Sequence, residues 1–180
     1  MIDMVGIRFV GSGGQGVILA GQILGKAAAI YEGKEAVYTE TYGVETRGGF
    51  SSSALVISDE KIDYPYVLEP DVLVAFSQKG YDLTKDKLKK DGILIYEEDL
   101  VRPEKHERVY SIPATRLVKE NFNKTTSMNM TMLGYIIKIT NVVKFESLVT
   151  SIAESVPKGT ENDNIEAAKI GYLYNKSAPS

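Results

Sequence analysis

The run Gly11-Ser12-Gly13-Gly14-Gln15-Gly16 stands between an apolar stretch, residues 4–10, and a stretch of small and apolar residues, 17–31. The first reads as a buried strand and the second as a helix. A glycine-rich turn between them does two physical jobs. It carries the backbone through conformations that only glycine adopts cheaply. It also leaves the first N–H groups of the helix pointing at whatever lies above the turn, an arrangement that suits an anion. Gly11, Gly13 and Gly16 match the dinucleotide-binding spacing G-x-G-x-x-G. That spacing alone is a weak signal, since a tight turn with close helix–sheet packing and no ligand also fits it.

The helix at 17–31 is apolar on most faces, which predicts burial between the sheet and its neighbours. Gly21 and Gly25, four apart, share one face and permit close approach, most simply to the sheet. Residues 36–41 read as a second strand. A second glycine-rich run follows, Tyr42-Gly43-Val44-Glu45-Thr46-Arg47-Gly48-Gly49. It is expected to emerge near the first turn. Residues 50–58 mix small polar and apolar side chains on both alternating faces, and predict a strand half-buried at its start. The short connection from 41 to 50 forces an antiparallel or offset pair, so the sheet is mixed.

Residues 61–68 read as loop and 71–76 as a central strand. A helix is predicted over 81–90, its last turn rich in lysine and favourable to the helix dipole. Strands follow at 93–96 and 108–112. Helices are expected from Pro113 to about Phe122 and over 128–139, 144–156 and 162–174, with a frayed tail at 176–180. Asn129 is expected to act as a cap or a packing hydrogen bond. The class is α/β: a single domain over residues 1–180 with a largely parallel, mixed sheet and helices on both faces, a Rossmann- or flavodoxin-like three-layer arrangement. Ligands in such sheets gather at the carboxyl ends of the strands, where both glycine-rich loops fall.

Composition narrows the chemistry. A net charge of −3 gives no electrostatic support to a nucleic-acid role. No apolar run is long enough to span a bilayer and no secretory pattern opens the chain, so the cytoplasm is the expected location. With no cysteine, the chain can form neither a disulfide nor a thiolate-held iron–sulfur cluster. Its single histidine, His106, lies in a charged stretch and reads as solvated surface, which excludes a Ser-His-Asp triad. No nucleophile–base pair, metal-spaced cluster or thiamine diphosphate signature is visible.

Taken together, Gly-Ser-Gly-Gly-Gln-Gly and Tyr-Gly-x-Glu-x-Arg-Gly-Gly-x-Ser, about thirty residues apart, are far more specific than either alone. They resemble the gamma subunits of the 2-oxoacid:ferredoxin (acceptor) oxidoreductases, most closely the separate gamma chain of the 2-oxoglutarate enzyme. The likeness continues through Ile62-Asp63-Tyr64-Pro65, Pro70-Asp71-Val72-Leu73-Val74-Ala75, Ile112-Pro113-Ala114 and Asn129-Met130-Thr131-Met132-Leu133-Gly134, and so covers nearly the whole chain. The resemblance implies a pyruvate/ketoisovalerate oxidoreductase gamma-type domain within a complex that oxidatively decarboxylates a 2-oxoacid. Coenzyme A would accept the acyl group and ferredoxin the electrons. Thiamine diphosphate and the iron–sulfur clusters would sit on partner subunits, alpha and beta, with a ferredoxin-like delta subunit as a further partner. The isolated chain would then be inactive.

Under this reading Gly11, Ser12, Gly13, Gly14 and Gly16 form a backbone cradle for a phosphate or the acyl carrier. Gln15 is a donor at its mouth. Tyr42, Gly43, Gly48 and Gly49 border the site, with Tyr42 a candidate interface aromatic. Arg47 either contacts an anionic group or pairs with Glu45 at a subunit interface. Ser51 and Ser52 either donate to the site or serve a plain strand-edge role. Two other readings compete. A scaffold subunit would use the loops only for packing. A stand-alone nicotinamide-binding enzyme would place Glu40 on the ribose, but such a fold has no need of the second glycine loop.

Overall fold

A computed structural model describes residues 4–42, 49–123 and 126–176, with the side chains of Thr41 and Tyr42 left out of the description. Six strands form one sheet: β1 (Val5–Ser12), β2 (Glu35–Tyr42), β3 (Phe50–Ser58), β4 (Val72–Ala75), β5 (Ile93–Glu97) and β6 (Val109–Ile112). The spatial order is β2-β3-β1-β4-β5-β6. β1, β4, β5 and β6 run parallel, while β3 is antiparallel to both β1 and β2. The sheet is therefore mixed, as the short second connection requires.

The helices are α1 (Val17–Lys26), α2 (Gln78–Thr84), α3 (Ala114–Phe122), α4 (Met128–Thr140), α5 (Phe145–Ser155) and α6 (Glu161–Leu173). Strand alternation sends Ile7, Phe9, Leu55, Ile57, Val72, Val74 and Ile95 to one face, where they join side chains of α1, α3, α4, α5 and α6 in the main core. On the other face Val10, Leu73, Ala75 and Leu94 pack with Tyr81 of α2 and with Val101. Beside them Ala54 and Val56 of β3 are covered by Val67 and Ile62 from the β3–β4 loop. Helices do lie on both faces, but unequally. Among the described residues one face carries α1, α3, α4, α5 and α6, the other α2 and loops.

Three local expectations change. β3 is not half-buried at its start: Ser51, Ser52 and Ser53 are 7%, 2% and 1% exposed, because β3 is inserted between β1 and β2. Its small polar residues suit that place, Ser53 Oγ donating to Val17 O at 3.0 Å across the α1 interface. The helix read over 81–90 starts and stops earlier, at Gln78–Thr84, followed by a 3₁₀ turn, Lys85–Lys87. Ser77 sets the start, its hydroxyl accepting from Gly80 N at 3.1 Å. Lys89 and Lys90 lie beyond the end. Lys85 pairs with Glu104 and Lys89 with Asp71, so the lysines serve loops and not a helix dipole. His106 is half-buried, with Nε2 2.9 Å from Gly92 O. It is a tie between loops and not free surface.

The helix at 17–31 spans the expected length but changes character. After Lys26 it widens into a π-helical turn, Ala27–Tyr31. Gly21 does approach the sheet: a Cβ there would lie 2.6 Å from Ser53 Oγ. Close intrachain packing, the simpler of its two readings, is what the glycine serves.

Candidate functional site

The carboxyl ends of β1 and β2 lie at the same edge of the sheet, since both strands run antiparallel to β3. There Ser12 stands opposite Phe50 and Gly11 opposite Ser51. Immediately beyond, Gly13 N–H donates to Gly49 O at 2.9 Å. The first glycine turn and the end of the second glycine run are thus hydrogen-bonded neighbours. Tyr42 is the last residue of the β2–β3 ladder, opposite Ser51. Gly43, Glu45, Arg47 and Gly48 lie outside the described residues, so both readings of Arg47 stay proposals.

Within the first turn, Gly14 has φ 88° and Gly16 φ 73°. Gly13 is not left-handed. Gly14 and Gly16 need glycine for different reasons. Among the described residues a Cβ at Gly14 would meet nothing within 4 Å, so backbone strain is what excludes a side chain there. A Cβ at Gly16 would collide with the Asn129 amide. Gly16 precedes α1, whose first backbone bond runs from Ala20 N to Gly16 O at 2.9 Å. The N–H groups of Val17, Ile18 and Leu19 come ahead of that ladder, as helix geometry demands. Backbone donors at a positive helix end fit an anionic group such as a phosphate.

Gln15 is used differently from the expectation. Its Oε1 accepts from Ser12 N at 2.7 Å and its Nε2 donates to Phe76 O at 3.0 Å. Both ends of the amide brace the turn against the end of β4, which is not the posture of a donor held at the mouth. Ser51 and Ser52 are buried in an interior strand, which removes the strand-edge reading. Asn129 behaves as expected of a packing residue: 5% exposed, it donates from Nδ2 to Gly16 O at 3.3 Å. The sequence did not reveal that this bond brings the start of α4 to the turn, 113 residues away.

One more group at this edge went unnoticed in the sequence. Glu97 ends β5 and is 0% exposed. Its Oε1 accepts from Thr115 N, in the first turn of α3, at 3.0 Å, and among the described residues its Oε2 has no hydrogen-bond partner. Burial above all pushes its carboxyl up from the usual range. Asp99 adds to the rise, while N–H donors at Thr115, Leu100 and Asp99 oppose it. A lone glutamate closing an apolar strand gives little sequence signal of such burial. Among the described residues no group of three or more His, Cys, Asp and Glu could hold a metal ion, and no helix is long and apolar enough to cross a membrane.

The six-stranded order with an inverted β3 and two glycine loops joined at one edge defines a class, and comparison with known proteins gives it a family. Residues 6–174 match the family described as pyruvate ferredoxin/flavodoxin oxidoreductase, and the chain belongs to it. It is 50% identical over 170 residues to the 2-oxoglutarate synthase subunit KorC of Methanocaldococcus jannaschii, covering 92% of this chain and 91% of that one. The keto/oxoacid ferredoxin oxidoreductase gamma subunit of Geobacter sulfurreducens has the same fold, with a TM-score of 0.84 and 34% identity over 94% of each chain. The 2-oxoglutarate:ferredoxin oxidoreductase of Magnetococcus marinus, solved with 2-oxoglutarate, coenzyme A and succinyl-CoA bound, superposes with a TM-score of 0.83 and 25% identity. There 98% of this chain covers only 32% of that chain. The likeness to gamma chains read from the two glycine motifs is met.

Proposed function

We propose that this chain is the gamma subunit of a 2-oxoglutarate:ferredoxin oxidoreductase and that its joined glycine loops handle coenzyme A. The observation that carries the reading is the Gly13–Gly49 hydrogen bond at the carboxyl edge of the sheet. It fixes two backbone-rich loops beside the start of α1, where donors suited to a phosphate occur. Coenzyme A carries such phosphates, and the Magnetococcus relative was solved with that ligand.

In this role the chain does not perform the decarboxylation. It has no cysteine for a cluster, so thiamine diphosphate and iron–sulfur centres belong to alpha and beta partners, with a ferredoxin-like delta subunit as a further partner and ferredoxin as the acceptor. The backbone N–H groups of Val17, Ile18 and Leu19 orient an anionic part of coenzyme A, Gln15 and Asn129 hold the turn in shape, and Arg47 is the cation that completes the site. The complex works in the cytoplasm.

The test is a calorimetric titration with coenzyme A on the chain alone and on the assembled complex, beside an assay of acyl-CoA formation from 2-oxoglutarate. The reading requires coenzyme A binding by the complex and acyl-CoA formation that fails when this chain is omitted. A complex that keeps full turnover without it refutes the reading.

A further inference from the structure

The β3–β4 connection, residues 59–71, lies on the sheet face that carries α2. Ile62 and Val67 turn inward and cap Ala54 and Val56. The rest of the loop's apolar side chains turn out. Tyr64, Tyr66 and Leu68 are 56%, 60% and 65% exposed, and Met4 beside them 58%. The two tyrosines meet edge to face, ring centroids 5.6 Å apart. Beside them runs a groove of ≈ 340 Å³ lined in part by Met4, Gly6, Val56, Val67 and Leu68. Paired rigid aromatics at a groove supply contact area at little entropic cost, and contiguous apolar surface of this kind marks a contact site.

The charge next to the groove indicates what covers it. Arg8 is half-buried on the same face, two residues from Gly6 and opposite Ala54 in the ladder. Its Nη2 donates to Val67 O, and among the described residues its Nε has no acceptor. Burial lowers its pKa, and no neighbouring carboxylate raises it among the described residues. Asp71 is already engaged, its Oδ2 by Gly6 N at 2.7 Å and its Oδ1 by Lys89. A half-buried cation without a counter-ion costs stability until an anion reaches it.

We infer that this Tyr64–Tyr66 face docks another subunit of the same oxidoreductase, one that places an apolar side chain in the groove and a carboxylate toward Arg8. The inference rests on the proposed function. It is in keeping with the Magnetococcus chain, in which this fold is about a third of a longer polypeptide of an enzyme of the same kind. It also gives a role to Ile62-Asp63-Tyr64-Pro65, a motif that the glycine-loop site leaves unused.

The experiment co-expresses the tagged chain with the other subunits of the oxidoreductase. It measures recovery of partners, native mass and amide hydrogen exchange. The exposed double variant Tyr64→Ser/Tyr66→Ser should keep the wild-type thermal midpoint and lose partner recovery about tenfold or more. Wild-type recovery should fall as salt is raised, and Arg8→Gln should reduce recovery and remove that salt dependence. In the wild-type complex the amides of 59–71 should exchange more slowly than in the free chain. Unchanged exchange there, or unchanged recovery with the double variant, overturns the inference and leaves the coenzyme A reading intact. A homodimer of the free chain that the double variant dissolves overturns it in favour of a second copy. A wild-type chain that recovers no partner overturns both readings.

Discussion

Gly13 N–H donates to Gly49 O at 2.9 Å, joining two glycine runs that the sequence separates by a helix and two strands. Neither run alone defines a site. Joined, they place α1's first turn, the end of the β4 strand through Gln15 and the start of α4 through Asn129 around one edge.

Gly14 and Gly16 should respond differently to alanine. Among the described residues Gly14→Ala meets nothing and bears only the left-handed backbone cost, about 1–2 kcal/mol. Gly16→Ala bears that cost and collides with Asn129, adding about 1–3 kcal/mol. Urea unfolding of the two variants checks the order. Equal losses would mean that Asn129 yields freely and does not hold the turn.

Gln15→Ala removes both braces, exposing Ser12 N and Phe76 O to loss of their partner. The expected loss is about 1–3 kcal/mol of stability, with faster hydrogen exchange at Ser12. A variant that keeps wild-type stability but binds coenzyme A more weakly would return Gln15 to the role of ligand donor.

Glu97 makes stability depend on pH with a definite sign. Its folded-state pKa is raised, burial being the first cause, so the contribution is fully present below the unfolded value and is lost as pH rises through the folded value. Glu97→Gln keeps an acceptor for Thr115 N and carries no charge. The stability of the variant relative to wild type should therefore increase as pH rises above the ordinary glutamate value of about 4.3. Denaturant midpoints at rising pH measure it, and a relative stability that falls with pH would contradict the buried-carboxyl account.

Arg47 and Glu45 separate by a mutant cycle. If Arg47 contacts coenzyme A, Arg47→Lys loses the planar fork and weakens binding by on the order of 1–2 kcal/mol, while Glu45→Gln matters little. If the two form an interface pair, both changes loosen subunit association and the double change costs less than the sum. Coenzyme A kinetics and a dissociation assay on the same four proteins distinguish the cases.

The elements most legible in the sequence were those with a single strong cause. The first strand, turn and helix followed from apolar periodicity broken by glycines. The mixed sheet followed from the short 41–50 connection. The place of β3 between β1 and β2 was not legible, because Ser51, Ser52 and Ser53 look like half-exposed positions. They are buried because β3 lies inside the sheet, and Ser53 finds an acceptor there in Val17 O of α1. The early start of α2 was hidden in one hydroxyl, Ser77. Long-range ties such as Asn129 to Gly16 leave no periodic trace, since they depend on how α4 crosses the sheet edge.

The central claim is that the joined glycine loops handle coenzyme A within an assembled oxidoreductase. Gly13 is exposed and outside the left-handed region, so Gly13→Val adds a branched side chain at the cradle without the backbone strain that Gly14 and Gly16 would bear. The most direct measurement is the Michaelis constant for coenzyme A of the purified complex carrying this variant, beside its native mass. The account predicts an intact complex whose Michaelis constant rises about tenfold or more, the equivalent of ~1.4 kcal/mol. An intact complex with the wild-type constant would contradict it.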